Sequence, residues 1–169
     1  MARIHGFEPI ANRDAEVLIL GSMPGIASLA AGQYYAHPQN AFWRVMAALL
    51  QIDIALPYRV RVQAIKCARI AIWDVLRSCT REGSLDSTID RDAEIANDFT
   101  RFFRMHKKVT RVFFNGVKAE TCFKRHALPE IEDTSISYVR LPSTSPANAS
   151  ISYARKLEAW RMLLARGPI

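Results

Sequence analysis

Three short stretches of this chain carry side chains able to do chemistry at close spacing. The first joins a small-residue turn, Gly21, Ser22, Met23, Pro24 and Gly25, to a polar and aromatic run that includes Tyr34, Tyr35, His37, Pro38, Gln39 and Asn40. The second begins at Trp73 and Asp74 and continues through a polar loop to Asp86. The third is the loop Pro142, Ser143, Thr144, Ser145, Pro146, Ala147 and Asn148, and a separate Asn115-Gly116 turn precedes it. Small side chains and bare backbone amides approach a phosphate closely, and a loop stiffened by two prolines can press on a nucleic-acid strand. The arrangement suits a site that grips a nucleic-acid backbone and extracts a nucleotide from the duplex, where pinching the backbone offsets unstacking and unpairing costs of a few kcal/mol.

The signatures of other chemistries are absent. The sequence has no Walker A loop, no G-x-G-x-x-G, no G-x-S-x-G elbow and no H-E-x-x-H, which argues against phosphoryl transfer, dinucleotide chemistry, serine acyl transfer and zinc proteolysis. Ser143, Thr144 and Ser145 have no His-Asp partner at a recognised spacing, so phosphate contact suits them better than nucleophilic attack. No lysine stands out as a Schiff-base nucleophile. Cys67, Cys79 and Cys122 are odd in number and widely spaced. They are expected to be ordinary buried thiols rather than a disulfide framework or a metal site, and no cofactor or metal is expected.

The elements that must position these loops read as strands alternating with helices. The apolar run 17–20 is a buried strand ending in the 21–25 turn, and the residues after it form a long connection. Phe42, Val45, Met46, Leu49 and Leu50 then recur at helical spacing. A second helix is expected over 58–69, a strand over 70–76, and a helix over 90–108 capped by Asp90, with Ile95, Phe99, Phe102 and Phe103 as its buried stripe. A strand over 109–114, a helix over 117–127, a strand over 136–141 and a last helix from about Ser150 to Arg166 complete the pattern. Residues 1–16 read as a surface lead-in, with Phe7 and Ile10 reaching the core. The expected fold is a three-layer α/β/α sandwich around a mostly parallel sheet of about four strands. The unusual loops all follow strands, so in such a sheet they converge on one edge, where open parallel sheets bind ligands.

With 169 residues, half of them hydrophobic, the chain is expected to be a single domain. No apolar run approaches membrane-spanning length, and Met1, Ala2, Arg3, Ile4 and His5 lack the apolar core of a signal peptide, so a cytoplasmic protein without a membrane partner is expected. The formal charge of +7 favours a polyanionic partner such as nucleic acid.

The 21–25 turn, taken with His37-Pro38-Gln39-Asn40-Ala41-Phe42-Trp43, resembles the first motif region of the uracil-DNA glycosylase superfamily. The likeness is greatest to its hypoxanthine-DNA glycosylase branch, family 6, and next to the mismatch-specific uracil/thymine glycosylases. Trp73-Asp74-Val75-Leu76, the 81–86 loop, Phe114-Asn115-Gly116 and the run from Leu141 to Asn148 extend the resemblance, in that branch's order, over nearly the whole chain from Val17. It implies a metal-free monofunctional enzyme that flips a deaminated base, uracil or hypoxanthine, out of DNA and hydrolyses its N-glycosidic bond.

Carried over by position, Asn40 is the catalytic residue. Ser22, Met23, Tyr35, Trp73, Asp74 and Asn115 wall the base pocket. Gly21, Pro24, Gly25, His37, Pro142, Ser143, Thr144, Ser145, Pro146 and Asn148 contact DNA. A monomer acting on DNA is implied. Two departures stand out: Met23 occupies the place where the mismatch-specific branch has Asn, and Leu141 the place where the main uracil branch has a His that donates to the leaving base. Support for that base must then come from backbone amides or Asn115.

Spacing alone reads Asn40 as a helix cap, and only the resemblance makes it catalytic. One of Tyr34 and Tyr35 is expected to stack on an extruded base while the other packs beneath the loop. Trp73 has a core reading beside its pocket reading, and Asp74 either reads the base edge or caps a turn. Arg81, Lys118, Arg140 and Arg155 are candidate DNA contacts. Two other functions fit the same pattern: a non-catalytic module recognising damaged or abasic DNA, and an N-glycosidic hydrolase of free nucleosides or nucleotides.

Overall fold

The computed structural model of the protein describes residues 3–165. Four strands form a parallel sheet: β2 (Val17–Gly21), β3 (Ile70–Asp74), β6 (Arg111–Asn115) and β7 (Ser137–Leu141), in the order β3-β2-β6-β7. Strand β2 lies between β3 and β6 and all five of its residues are buried. Its unbroken apolar run is what a strand covered on both faces requires.

One helical layer contains α2 (Phe42–Leu50), α3 (Tyr58–Cys67) and α6 (Tyr153–Trp160), joined by edge-on contacts of Phe42 with Trp160 and Trp43 with Tyr58. The opposite layer contains α4 (Phe99–Met105) and α5 (Val117–His126), where Phe99 packs on Phe123 and Phe123 on Phe114 of the sheet. This is the expected three-layer sandwich. Among the described residues no helix is long and apolar enough to cross a membrane.

Several local expectations change. The N-terminal residues are more than a lead-in: β1 (Arg3–His5) pairs antiparallel with β4 (Leu76–Thr80), and Ile10 bridges to Ile72. The run 70–76 is two strands, because the chain turns out of the parallel sheet after Asp74 and β4 joins β1 and the short β5 (Ile95–Ala96) in a separate three-stranded sheet. The helix expected over 90–108 is confined to α4. Ile95 and Ala96 pair with β4, and Asn97 donates its backbone N–H to Val75 O and its side-chain amide to Asp74 O. Asp98 then caps α4 by accepting from Arg101 N at 2.8 Å. Asn and Asp favour such caps over helix interiors, which outweighed the helical spacing of the apolar residues. A six-residue helix, α1 (Ile26–Ala31), lies inside the first long connection and ends at Gly32. The last helix stops at Trp160 and continues as a 3-10 turn to Leu164, and Arg166, its expected end, lies outside the described residues. Cys79 and Cys122 are buried, whereas Cys67 is exposed.

Glu94, expected inside a helix, instead anchors the small sheet to α5. Its side chain is 0% exposed and meets Lys118, Arg125 at 3.1 Å and His126 at 2.7 Å. Burial alone would raise its pKa, but the hydrogen bonds from Lys118 and His126 more than offset this and hold it below the usual glutamate value. Its stabilisation is present above the unfolded-state pKa and is lost as pH falls through the folded one. Glu94→Ala leaves Lys118, Arg125 and the His126 ring facing a buried gap. It should lower the unfolding free energy by about 3 kcal/mol in urea titrations at neutral pH.

Candidate functional site

The ends of the parallel strands open onto a crevice of about 920 Å³. Gly21 faces Asp74 across the β2–β3 pair, and Asn115 faces Leu141 across β6–β7, so the last residues of four strands form its floor. Every residue that the resemblance assigns to catalysis, the base pocket or DNA contact lines it except one. That one is Trp73. Neighbouring residues of a strand point to opposite faces. With Asp74 turned into the crevice, Trp73 points into the other layer, against Phe99 and Phe102, and donates its indole N–H to Phe7 O. Its core reading holds and its pocket reading does not.

Gly21 has a steric reason. A Cβ there would lie 2.4 Å from Asp74 Oδ1 and 3.1 Å from the Tyr35 hydroxyl, so only glycine lets both groups stand beside the turn. Asp74 is buried, with Oδ2 unpartnered among the described residues, and the hydroxyl of Tyr35 is in the same condition. Buried polar atoms are nearly always paired, so two unpartnered ones in the wall of one crevice mark where a ligand's polar edge fits. Burial, and next the neighbouring carboxylate of Asp86, push Asp74 up to about 7, with Arg81 opposing. Burial raises Asp86 as well, against the hydrogen bond that the Ser22 hydroxyl donates to it at 2.6 Å.

Tyr35 adopts φ 56°, a strained conformation for an aromatic residue, and its ring stacks on Phe42 with centroids 3.9 Å apart. Tyr34 is the one that packs beneath the loop: its hydroxyl donates to Glu8 O and its carbonyl accepts from the Trp43 indole.

Asn40 accepts from Phe42 N at 3.0 Å, one residue outside the cap position of α2, which is Ala41. The cap and catalytic readings are therefore compatible. A carbonyl oxygen has two lone pairs, and the bond to Phe42 fixes the amide while leaving one lone pair and the NH₂ group for the crevice.

The 142–148 loop is bound to the opposite wall through Thr144. Asn115 Oδ1 accepts from Thr144 N at 2.8 Å, its Nδ2 donates to Thr144 Oγ1 at 2.9 Å, and Thr144 O accepts from Ala41 N. Asn115 is thus mainly a brace for this loop. Gly116, at φ 97°, lets the loop approach, since a Cβ would lie 2.9 Å from the Ser143 Cβ.

The basic candidates divide. Arg81 is only 6% exposed and braces the first turn from behind, donating to Pro24 O and Gly83 O, so it does not face DNA. Lys118 is held by Glu94, and Arg140 lines the crevice while paired with Glu120. Arg155 is exposed. Asp86 was missed as a site residue, although it ends the polar loop that follows Asp74 in the sequence. Among the described residues no group of three or more His, Cys, Asp or Glu converges to hold a metal ion.

The family model for the uracil DNA glycosylase superfamily matches residues 8–164. A hypoxanthine DNA glycosylase of Methanosarcina acetivorans is 36% identical over 154 residues, 90% of this chain and 93% of that protein. A protein of the same name from Methanosarcina barkeri is 40% identical over 115 residues, 68% of this chain and 72% of its own. A solution NMR structure from Methanosarcina acetivorans, named as a candidate uracil DNA glycosylase, superposes with a TM-score of 0.79 at 32% identity, covering 97% of this chain and 100% of that one.

Proposed function

The chain belongs to the uracil DNA glycosylase superfamily and is a DNA glycosylase acting on deaminated bases; from that premise we propose that one domain flips hypoxanthine or uracil from DNA into the crevice and hydrolyses its N-glycosidic bond. The observation that carries this reading is the pair of unpartnered buried groups, Asp74 Oδ2 and the Tyr35 hydroxyl, beside the bare backbone of Gly21.

Asn40 orients a water against C1′. As the glycosidic bond breaks, its electron pair leaves with the base, the water adds to the sugar cation, and the proton the water gives up neutralises the departing base anion. An amide suffices because that cation is highly reactive, and positioning supplies most of the gain. Asp74, protonated below about pH 7, there offers an O–H donor and a carbonyl acceptor to the base. Hypoxanthine and uracil both present a carbonyl beside a ring N–H, the complement of that pair, so its O–H also meets the charge growing on the departing lactam. The 21–25 turn and the 142–148 loop hold the backbone while the base is out of the stack, offsetting a flipping cost of a few kcal/mol.

The test is a panel of short DNAs, single- and double-stranded, carrying hypoxanthine, uracil, xanthine or a thymine mismatch, with alkaline cleavage of abasic sites as the readout. Alkali-labile product from hypoxanthine or uracil DNA is expected. No product from any of them would sink the reading, and binding of abasic DNA without product would favour a damage-recognition module instead.

A further inference from the structure

A second cavity, of about 670 Å³, lies on the far side of the wall that holds Asn40 and shares Tyr35, His37, Asn40 and Pro146 with the crevice. Its basic side chains are Arg44 from α2, Arg61 from α3 and Lys156 from α6, and no Asp or Glu lines it among the described residues. We propose that this groove binds phosphodiesters of the DNA strand that carries the target base, with Lys156 as its central contact. The proposal rests on reading the crevice as the base pocket.

Lys156 is the first argument. It is 5% exposed, lines the groove, and has no hydrogen bond or ion pair from its ammonium among the described residues. The ammonium itself is not sealed off from the groove, so an incoming anion can reach it and supply the partner that the protein does not. Burial also lowers its pKa, which bound phosphate would restore.

The two arginines are ordered without carboxylates. The Arg44 guanidinium lies 3.7 Å from the centroid of the Tyr153 ring, and that of Arg61 lies 4.6 Å from the Trp43 ring while its Nε donates to Leu56 O. Stacking on aromatic faces fixes a guanidinium and leaves most of its N–H donors open, as planar recognition of phosphate requires.

Connectivity within a nucleotide supplies the third argument. The sugar joins base to phosphate, and Asn40 lines both cavities. A C1′ held at Asn40 sends the base into the crevice and the flanking phosphates into the groove.

The test uses Lys156→Met, Arg44→Gln and Arg61→Gln, checked for folding by thermal melts. Affinity for a duplex with a stable abasic-site analogue is read by fluorescence anisotropy across a salt series. Each variant should weaken binding roughly tenfold, and the slope of log K against log salt should fall by about one per lost contact. Methylphosphonate substitution of single phosphates next to the abasic site should weaken the wild type but add nothing in the variant that has lost the matching contact. Unchanged affinity and slope in the variants that fold, or fully additive losses, would overturn the proposal. So would a groove that takes only inorganic phosphate, seen as phosphate raising the wild-type melting temperature and not that of Lys156→Met, with DNA affinity untouched. If Lys156→Met fails to fold, the two arginine variants carry the same readout. A wild type inactive on every damaged base would sink the functional reading while leaving this binding measurement intact.

Discussion

Asn40→Ala should lower the single-turnover rate of base release by about 10²–10³-fold, with far less effect on affinity for abasic DNA. The size follows from what one positioned polar group contributes when it acts mainly in the transition state. The same substitution removes the acceptor for Phe42 N, which should lower stability by about 1 kcal/mol. The two losses separate experimentally. Asn40→Asp keeps the acceptor and hence the stability, but puts a carboxylate beside the sugar and removes the NH₂ group, so its rate distinguishes water orientation by the carbonyl from contacts made by the amide nitrogen. An Asn40→Ala enzyme that melts about 1 kcal/mol earlier yet releases base at the wild-type rate would reduce Asn40 to its capping role.

How far the sequence reveals such a site depends on which physical rule governs each part. Strands β2 and β6 were legible because runs covered on both faces must be apolar and must end in turns, and the edge strand β7 because its residues alternate. The convergence of loops followed from parallel pairing alone, and it brought together residues as distant as Gly21 and Asn148. What stayed hidden depends on partners far along the chain. Ile95 has helical spacing with Phe99, Phe102 and Phe103, but Asn97 and Asp98 find better hydrogen bonds at a strand junction and a cap. Arg81 has the sequence context of a surface cation, and only the carbonyls of Pro24 and Gly83 explain its burial. Trp73 and Asp74 are adjacent in sequence and belong to opposite layers, a distinction that needs the strand's facing and not its existence. The basic groove was invisible because three helices supply Arg44, Arg61 and Lys156, each of which reads separately as a charge on a solvated face.

Asp74 is where pH enters. With its folded-state pKa raised to about 7 from an ordinary aspartate value, the native protein binds more protons than the unfolded chain between about pH 4 and pH 7. Stability should therefore fall as pH rises through that window and level off above it, by up to roughly 4 kcal/mol. Asp74→Asn, which carries no charge to bury, should abolish this loss and melt later than the wild type at pH 8. Catalysis should follow the same proton. A neutral carboxyl pairs with a lactam through one donated and one accepted hydrogen bond, whereas a carboxylate sets a second negative oxygen against the base carbonyl. The value of kcat/KM for hypoxanthine or uracil DNA should thus drop about tenfold per pH unit above about 7, and Asp74→Asn, which keeps one donor and one acceptor, should retain activity with that alkaline limb removed. A wild-type profile flat to pH 9, or an Asp74→Asn profile that keeps the limb, would place the controlling proton elsewhere in the crevice. The neighbouring Asp86 would then be the group to change, because the hydrogen bond from Ser22 and the coulombic reach to Asp74 make it the other carboxylate whose ionisation the site feels.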